Sequence, residues 1–277
     1  MDKLIQLFVD IGKLWGKYGS SYITGMRNTL ILAVIATVVG CIIGLVCGVL
    51  NTIPYTKNDN IFKRILLRTI RILNQVYVEV FRGTPMILQA VVIYYGLLYF
   101  TNNAVGFSSV WLCAFVVVSV NTGAYMAESV RGGIISIDPG QTEGAKAIGM
   151  THWQTMTNVI LPQALRNILP QIGNNLIINI KDTSVMSIIG FTEFFAIHKS
   201  VAGTTYQYFP SAAIEMVGYL SMTLIASFLL RMWEKKMDGP GSYKLAEVDS
   251  LTMSAGTYSH PDKHAFAEKS REYKEGM

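Results

Sequence analysis

Four ionisable side chains sit inside long apolar stretches of this sequence: Glu79, Arg82, Lys181 and Asp182. A charge at the centre of a bilayer costs several kcal/mol, so such groups are shielded, paired or put to use. With a helix entering near Ile72, Arg82 lies roughly 15 Å in at the α-helical rise. With another starting at Pro170, Lys181 and Asp182 lie roughly 16 Å in. Asn121 falls midway along a third apolar segment. Polar groups thus reach one depth from separate segments, near the middle of a hydrocarbon layer roughly 30 Å thick. Gly83, Thr84 and Pro85 follow Arg82, and this combination loosens a helix and frees backbone groups to meet a polar solute. As a cluster these residues suit a translocation pathway. For each one singly, an internal ion pair joining Arg82 or Lys181 to Glu79 or Asp182 is an equal alternative.

The elements that position them follow from composition. The chain has 277 residues, 51% hydrophobic and 15% charged, where a soluble domain carries about 25% charge. The charges collect between apolar windows, as in a polytopic all-α membrane protein. Five spans are expected, near residues 28–50, 70–100, 109–130, 170–190 and 211–233. Before them, residues 1–20 place Leu4, Leu7, Phe8, Ile11, Leu14 and Trp15 on one helical stripe, an amphipathic surface helix. Gly40, Gly44 and Gly48 form a small-residue stripe that admits close approach of another helix. The membrane-spanning core is residues 21–237, and the polar residues 238–277 read as a disordered tail. Lys57, Lys63, Arg64, Arg68 and Arg71, the 131–166 stretch and Arg231 to Lys236 fall on one side, which the positive-inside rule makes cytoplasmic. The N-terminus then lies outside and the C-terminus inside.

Several functions are excluded. The net charge of +5 comes from basic flanks of the spans and is no nucleic-acid face. Cys41, Cys47 and Cys113 lie in apolar windows and lack the spacing of a metal site or disulfide framework. Gly12-Lys13 and Gly16-Lys17 lack the remainder of a P-loop. The histidines are scattered, and no catalytic constellation is present. Energy for uphill movement must come from an ion gradient or from a partner.

Between two apolar segments, Asp138–Pro162 reads as a helix-turn-helix. Asp138 is an N-cap with Pro139 at the first helical position and Gln141 at the capping-box position. Gly149 stops the first helix. Thr151 opens the second, with Gln154 three residues on, and Leu161-Pro162 ends it. The small residues Gly144, Ala145 and Ala147 would let the first helix enter a groove on another protein, with Glu143 and Lys146 at the rim. Packing on its own bundle is the alternative.

The run EGAKAIGM (143–150), followed nine residues after Gly149 by VILP (159–162), resembles the EAA motif of ABC importer permeases. Gly144 stands for the first Ala and Val159 for Ile, with spacing intact. YVEVFRGTPMILQ (77–89), GAYMAESVRGGI (123–134), GQTEGAKAIG (140–149), LPQALRNILP (161–170) and IKDTSVMSIIG (180–190) are similar to the polar amino acid branch of that family. The likeness covers residues 20–235. It implies a type I importer permease fold with five spans in a bacterial inner membrane, surrounded by lipid and assembled as a homodimer or heterodimer. It also implies docking of two cytoplasmic ABC ATPases and delivery of the amino acid by an extracytoplasmic binding protein. ATP and Mg would be bound by the partner ATPase, with no cofactor in this chain. Residues matching the motif, Glu143, Gly144, Ala145, Lys146, Gly149, Leu161 and Pro162, would couple to the ATPase. Glu79, Arg82, Thr84, Asn121, Lys181, Asp182, Thr183 and Ser184 would form the substrate pathway. A gradient-driven secondary transporter or channel is the competing class. It would share the midplane charges but have no use for a capped helix pair in the cytosol.

Overall fold

The computed structural model describes residues 2–55 and 59–238. With no proline before Pro54, the chain runs as one helix, α1 (Asp2–Thr52), of 51 residues. At the α-helical rise this is about 76 Å, more than twice the thickness of a hydrocarbon layer. The surface helix expected over 1–20 is therefore not a separate element: no break divides it from the first span.

Helix α2 (Ile61–Gly83) begins where the Asn60 side chain accepts from the Phe62 N–H. The basic residues Lys63, Arg64, Arg68 and Arg71 thus lie on this helix. Helix α3 (Met86–Phe100) follows at an angle of 112°. The apolar segment over 70–100 divides at the expected Gly83-Thr84-Pro85 interruption, because Pro85 lacks an N–H and cannot continue the α2 ladder. Helix α4 (Val110–Ile135) is capped by Ser109 Oγ, which accepts from Leu112 N. Then come α5 (Pro139–Ala147), α6 (His152–Thr155), a π turn (Met156–Ile160) and α7 (Leu161–Asp182). A 3₁₀ turn (Thr183–Ile189), α8 (Phe194–Thr205) and α9 (Tyr208–Asp238) complete the described chain. Among the described residues, three helices are long and apolar enough to cross a membrane, or up to five if each bent pair counts as one span. Residues 239–277, expected as a tail, lie outside the described residues.

The core is built on α1 and α4. A Cβ at Gly40 would meet Thr122 Cβ at 2.6 Å, one at Gly44 would meet Met126 Cβ at 2.3 Å, and one at Gly48 would meet Val130 Cγ1 at 2.4 Å. The small-residue stripe therefore has a named partner, and only glycine permits this separation. Leu32, Ala36, Ala90, Val117, Met186 and Phe191 fill the space beside the seam. Leu14, Tyr22, Ile180, Phe194, Val201 and Ile214 form a further cluster that ties the first half of α1 to α7, α8 and α9.

Among the described residues, buried side-chain polar groups mostly bond one another, with Arg71 Nε, Ser119 Oγ and Gln207 Oε1 left without a hydrogen-bond partner. Asn179 Nδ2 donates to Thr37 Oγ1 at 2.8 Å and to Thr122 Oγ1 at 3.0 Å, joining α7, α1 and α4. Ser211 Oγ lies 2.7 Å from Tyr22 Oη and 2.9 Å from His198 Nδ1, joining α1, α8 and α9. Glu193 caps α8, accepting from Phe195 N and Ala196 N at 2.7 Å and from Tyr219 Oη at 2.9 Å.

The seam makes a direct prediction. Gly44→Ala puts its Cβ against the Met126 and Ala127 backbone and should cost about 1–3 kcal/mol by overpacking. Gly16→Ala, on the same helix with nothing within 4 Å, should cost nothing. Apparent melting temperatures of the two variants in detergent check this.

Candidate functional site

At the α2–α3 break, Arg82, Gly83, Thr84 and Pro85 are exposed. The break stands between two cavities. The larger, about 770 Å³, is lined by Arg71, Asn74, Glu79, Arg82, Glu128 and Arg131 among others. The smaller, about 250 Å³, includes Thr84, Met86, Asn121, Asn175, Asn179 and Asp182 in its wall. Tyr125 of α4 lines both, and the Arg82 guanidinium sits 5.6 Å from the centre of its ring, a cation–π distance. Arg131 Nε donates to Glu128 Oε2 at 3.1 Å, so that pair is largely self-neutralised.

Among the described residues, none of Glu79, Arg82, Lys181 and Asp182 forms an ion pair within 4 Å. The internal lock weighed as an alternative is not made. Glu79 and Arg82 share the larger cavity, while Thr84, Asn121 and Asp182 share the smaller one. Lys181, Thr183 and Ser184 line neither. Thr183 is fully buried and its Oγ1 donates to Ile180 O at 3.1 Å, a helix-terminal role. Sequence reading missed Arg71, Glu128 and Arg131, which stand near the ends of their segments. It also missed Gln89, an ordinary helical residue except that Pro85 lies one turn before it.

The helix pair is well defined. Asp138 Oδ1 accepts from Gly140 N at 2.7 Å. Gln141 does not reciprocate as a capping box; its Oε1 lies 3.5 Å from Gln163 Nε2 instead. Gly149 has φ +81°. Met150 N donates to Ala145 O and Gly149 N to Lys146 O, the Schellman pattern that a left-handed glycine makes possible. The Thr151–Gln154 capping box is formed in both directions. Glu143, Gly144, Lys146 and Ala147 are exposed, as are Ile148 and Trp153 at 78% and 64%. Ala145, expected to face a partner, is buried within this chain's own fold, where α5 turns towards the π turn.

The second helix does not end at Leu161-Pro162. It passes through the π turn, where Leu161 N donates to Met156 O, straight into α7. Widening the turn accommodates Pro162, whose missing N–H and bulky ring would break a regular helix. From His152 to Ile189 the chain is one rod, carrying Asp182 at the cavity and Trp153 at the exposed pair. Asn167 Nδ2 donates to Ser136 Oγ at 3.1 Å, fastening the rod to the end of α4.

A helical bundle with polar cavities at a broken helix and an external capped helix pair defines a multi-pass membrane permease. Residues 61–239 match the model of the binding-protein-dependent transport system inner membrane component family, and the chain belongs to that family. The glutamine transport system permease protein GlnP of Escherichia coli (strain K12) is 35% identical over 216 residues, 78% of this chain and 92% of that one. The putative glutamine transport system permease protein GlnP of Rickettsia prowazekii (strain Madrid E) is 32% identical, with the same coverage. The crystal structure of an amino acid ABC transporter with histidines superposes with a TM-score of 0.69 at 34% identity, covering 79% of this chain and 95% of that one. An inward-facing MetNI methionine ABC transporter shares the fold, with a TM-score of 0.57 at 24% identity over 78% and 93% of the two chains.

Gly149→Ala forces a side chain into the left-handed region and should destabilise the turn by about 1–2 kcal/mol. Gly144→Ala, with open space around it, should not. Proteolytic cleavage rates within 140–155 distinguish the two outcomes.

Proposed function

We propose that this chain is the transmembrane permease subunit of an ATP-driven ABC importer that passes a polar amino acid from an extracytoplasmic binding protein to the cytoplasm. The observation that carries this is the rod His152–Ile189, which joins an exposed, doubly capped helix pair to a cavity-lining carboxylate. A gradient-driven transporter has no use for such a lever. The roles of the relatives, glutamine and amino acid transport, point the same way.

In this reading the N-terminus is outside, the C-terminus is cytoplasmic, and each bent pair counts as one of five spans. The basic start of α2 and Arg231 to Lys236 at the end of α9 favour that orientation. Leu220, Leu224 and Phe228, exposed along α9, face lipid. Two copies, or this chain and a second permease, enclose the pore. Two ABC ATPases, holding ATP and Mg, receive Glu143, Gly144, Lys146 and the neighbouring Ile148 and Trp153. Gly149 sets the turn, while Leu161 and Pro162 carry the junction into α7. ATPase closure moves the pair as a rigid body, and α7 shifts with it because the helix is unbroken. An amino acid zwitterion needs one positive and one negative partner. Arg82 suits the carboxylate, Glu79 or Asp182 the ammonium, and Thr84 and Asn121 lie between.

Purification should yield a complex with an ABC ATPase. That complex, reconstituted with its binding protein, should take up radiolabelled glutamine only with ATP. Uptake driven by an ion gradient in vesicles lacking the ATPase would overturn the proposal. A competition panel of amino acids then sets the specificity. Glu143→Lys should leave the permease inserted but uncouple ATP hydrolysis from uptake; normal uptake would sink the lever. Arg82→Gln should weaken glutamine uptake by about tenfold, the scale of one lost charged hydrogen bond. Lys181→Gln, outside both cavities, should change KM by less than about twofold.

A further inference from the structure

The α2–α3 break leaves carbonyls that the main chain cannot satisfy. Phe81 O would accept from the residue four positions on, but that residue is Pro85, which has no N–H. Thr84 O would accept from Leu88 N, but Leu88 N and Gln89 N both turn to Pro85 O, at 3.0 and 3.2 Å. Two side-chain amides replace the missing donors. Gln89 Nε2 donates to Phe81 O and Thr84 O at 2.9 Å and to Thr84 Oγ1 at 3.0 Å. Asn121 Nδ2, from α4, donates to Phe81 O at 3.1 Å and to Gln89 Oε1 at 2.9 Å. Gln89 is only 7% exposed, so the network is sheltered from competing water.

We infer that Gln89 and Asn121 are positioning residues that set the α2–α3 angle and so aim the break at the solute. Arg82 and Gly83, on one side of the break, wall the larger cavity; Thr84, Pro85 and Met86, on the other, wall the smaller. Asn121 lies one helical turn before Tyr125, which lines both. The clasp therefore fixes both walls to α4 at the point where they meet. Asn121 itself has both amide hydrogens occupied within the protein, which makes it a holder of Phe81 and Gln89 rather than a donor to solute. This inference rests on the reading of the cavities as the substrate pathway.

Asn121→Asp is nearly isosteric but sets an acceptor against two acceptors, Phe81 O and Gln89 Oε1. In the full transporter complex, hydrogen exchange over residues 82–92 should accelerate at least about threefold. KM for radiolabelled glutamine should rise about tenfold, with Vmax changed less than about twofold. Wild-type exchange together with wild-type KM overturns the inference. Faster exchange with unchanged KM upholds the clasp and overturns the pathway reading on which its use depends. If Asn121→Asp does not fold, Gln89→Glu keeps the acceptor for Asn121 and removes only the Nε2 donor. It should shift both quantities in the same direction by a smaller amount, and wild-type values there also overturn the inference. Combining Gln89→Asn with Asn121→Gln preserves both amides and their summed reach, and should recover KM relative to either single change. A double variant no better than the singles counts against the clasp.

Discussion

The rest of the structure depends on the closeness of α1 and α4. Lipid chains are as apolar as leucine, so helices in a bilayer gain little from hydrophobic burial against each other. They associate through packing and hydrogen bonds. Gly40, Gly44 and Gly48 supply the packing by letting Thr122, Met126 and Val130 lie against bare backbone. That approach brings Thr37 and Thr122 within reach of one amide on α7, Asn179. Without the seam the knot would not close, and α7 would lose its reference point on the bundle. The same closeness fixes the azimuth of α4, and with it the direction in which Asn121, Tyr125 and Glu128 project.

Against this rigid pair the two polar devices are placed differently. The cavities lie where α2 breaks, so their walls depend on side-chain amides replacing backbone bonds at Phe81 and Thr84. The exposed helix pair is shaped by local capping, a Schellman turn at Gly149 and a reciprocal side-chain capping box at Thr151 and Gln154, with Ala145 seated in the chain's own fold. Its link to the cavity is the helix that continues through the π turn into α7. The buried network of Tyr22, Ser211, His198 and Glu215 stands apart from both and fastens α8 and α9 to α1.

Much of this was legible in the sequence because the signals were local. A glycine stripe at fourfold spacing, an apolar window, an N-cap followed by a glycine stop and a run of motif residues are all read within a few turns of chain. They fixed the all-helical membrane class, the capped helix pair and a polar cluster around residues 79–85. The expectations that failed needed information from elsewhere in the chain. Pro162 looked like a stop, because the π turn that accommodates it leaves no mark on hydropathy. Ala145 looked like an outward contact until α5 turned it inward. The apolar stripe of residues 1–20 reads as a separate surface helix, yet nothing in its backbone breaks it from the first span.

The sequence by itself determined which residues are expensive to bury and which turns are cheap to make, since both follow from the side chain and its nearest neighbours. Only the tertiary structure decided which polar groups meet. Glu79 and Arg82 share a cavity with Glu128 and Arg131, Lys181 lines neither cavity, and Asn121 spends its hydrogens on Phe81 and Gln89. Depth along a helix can be counted from sequence, but azimuth about its axis is set by what it packs against. In a bundle whose helices all carry polar groups to similar depth, azimuth separates a pathway residue from a structural one.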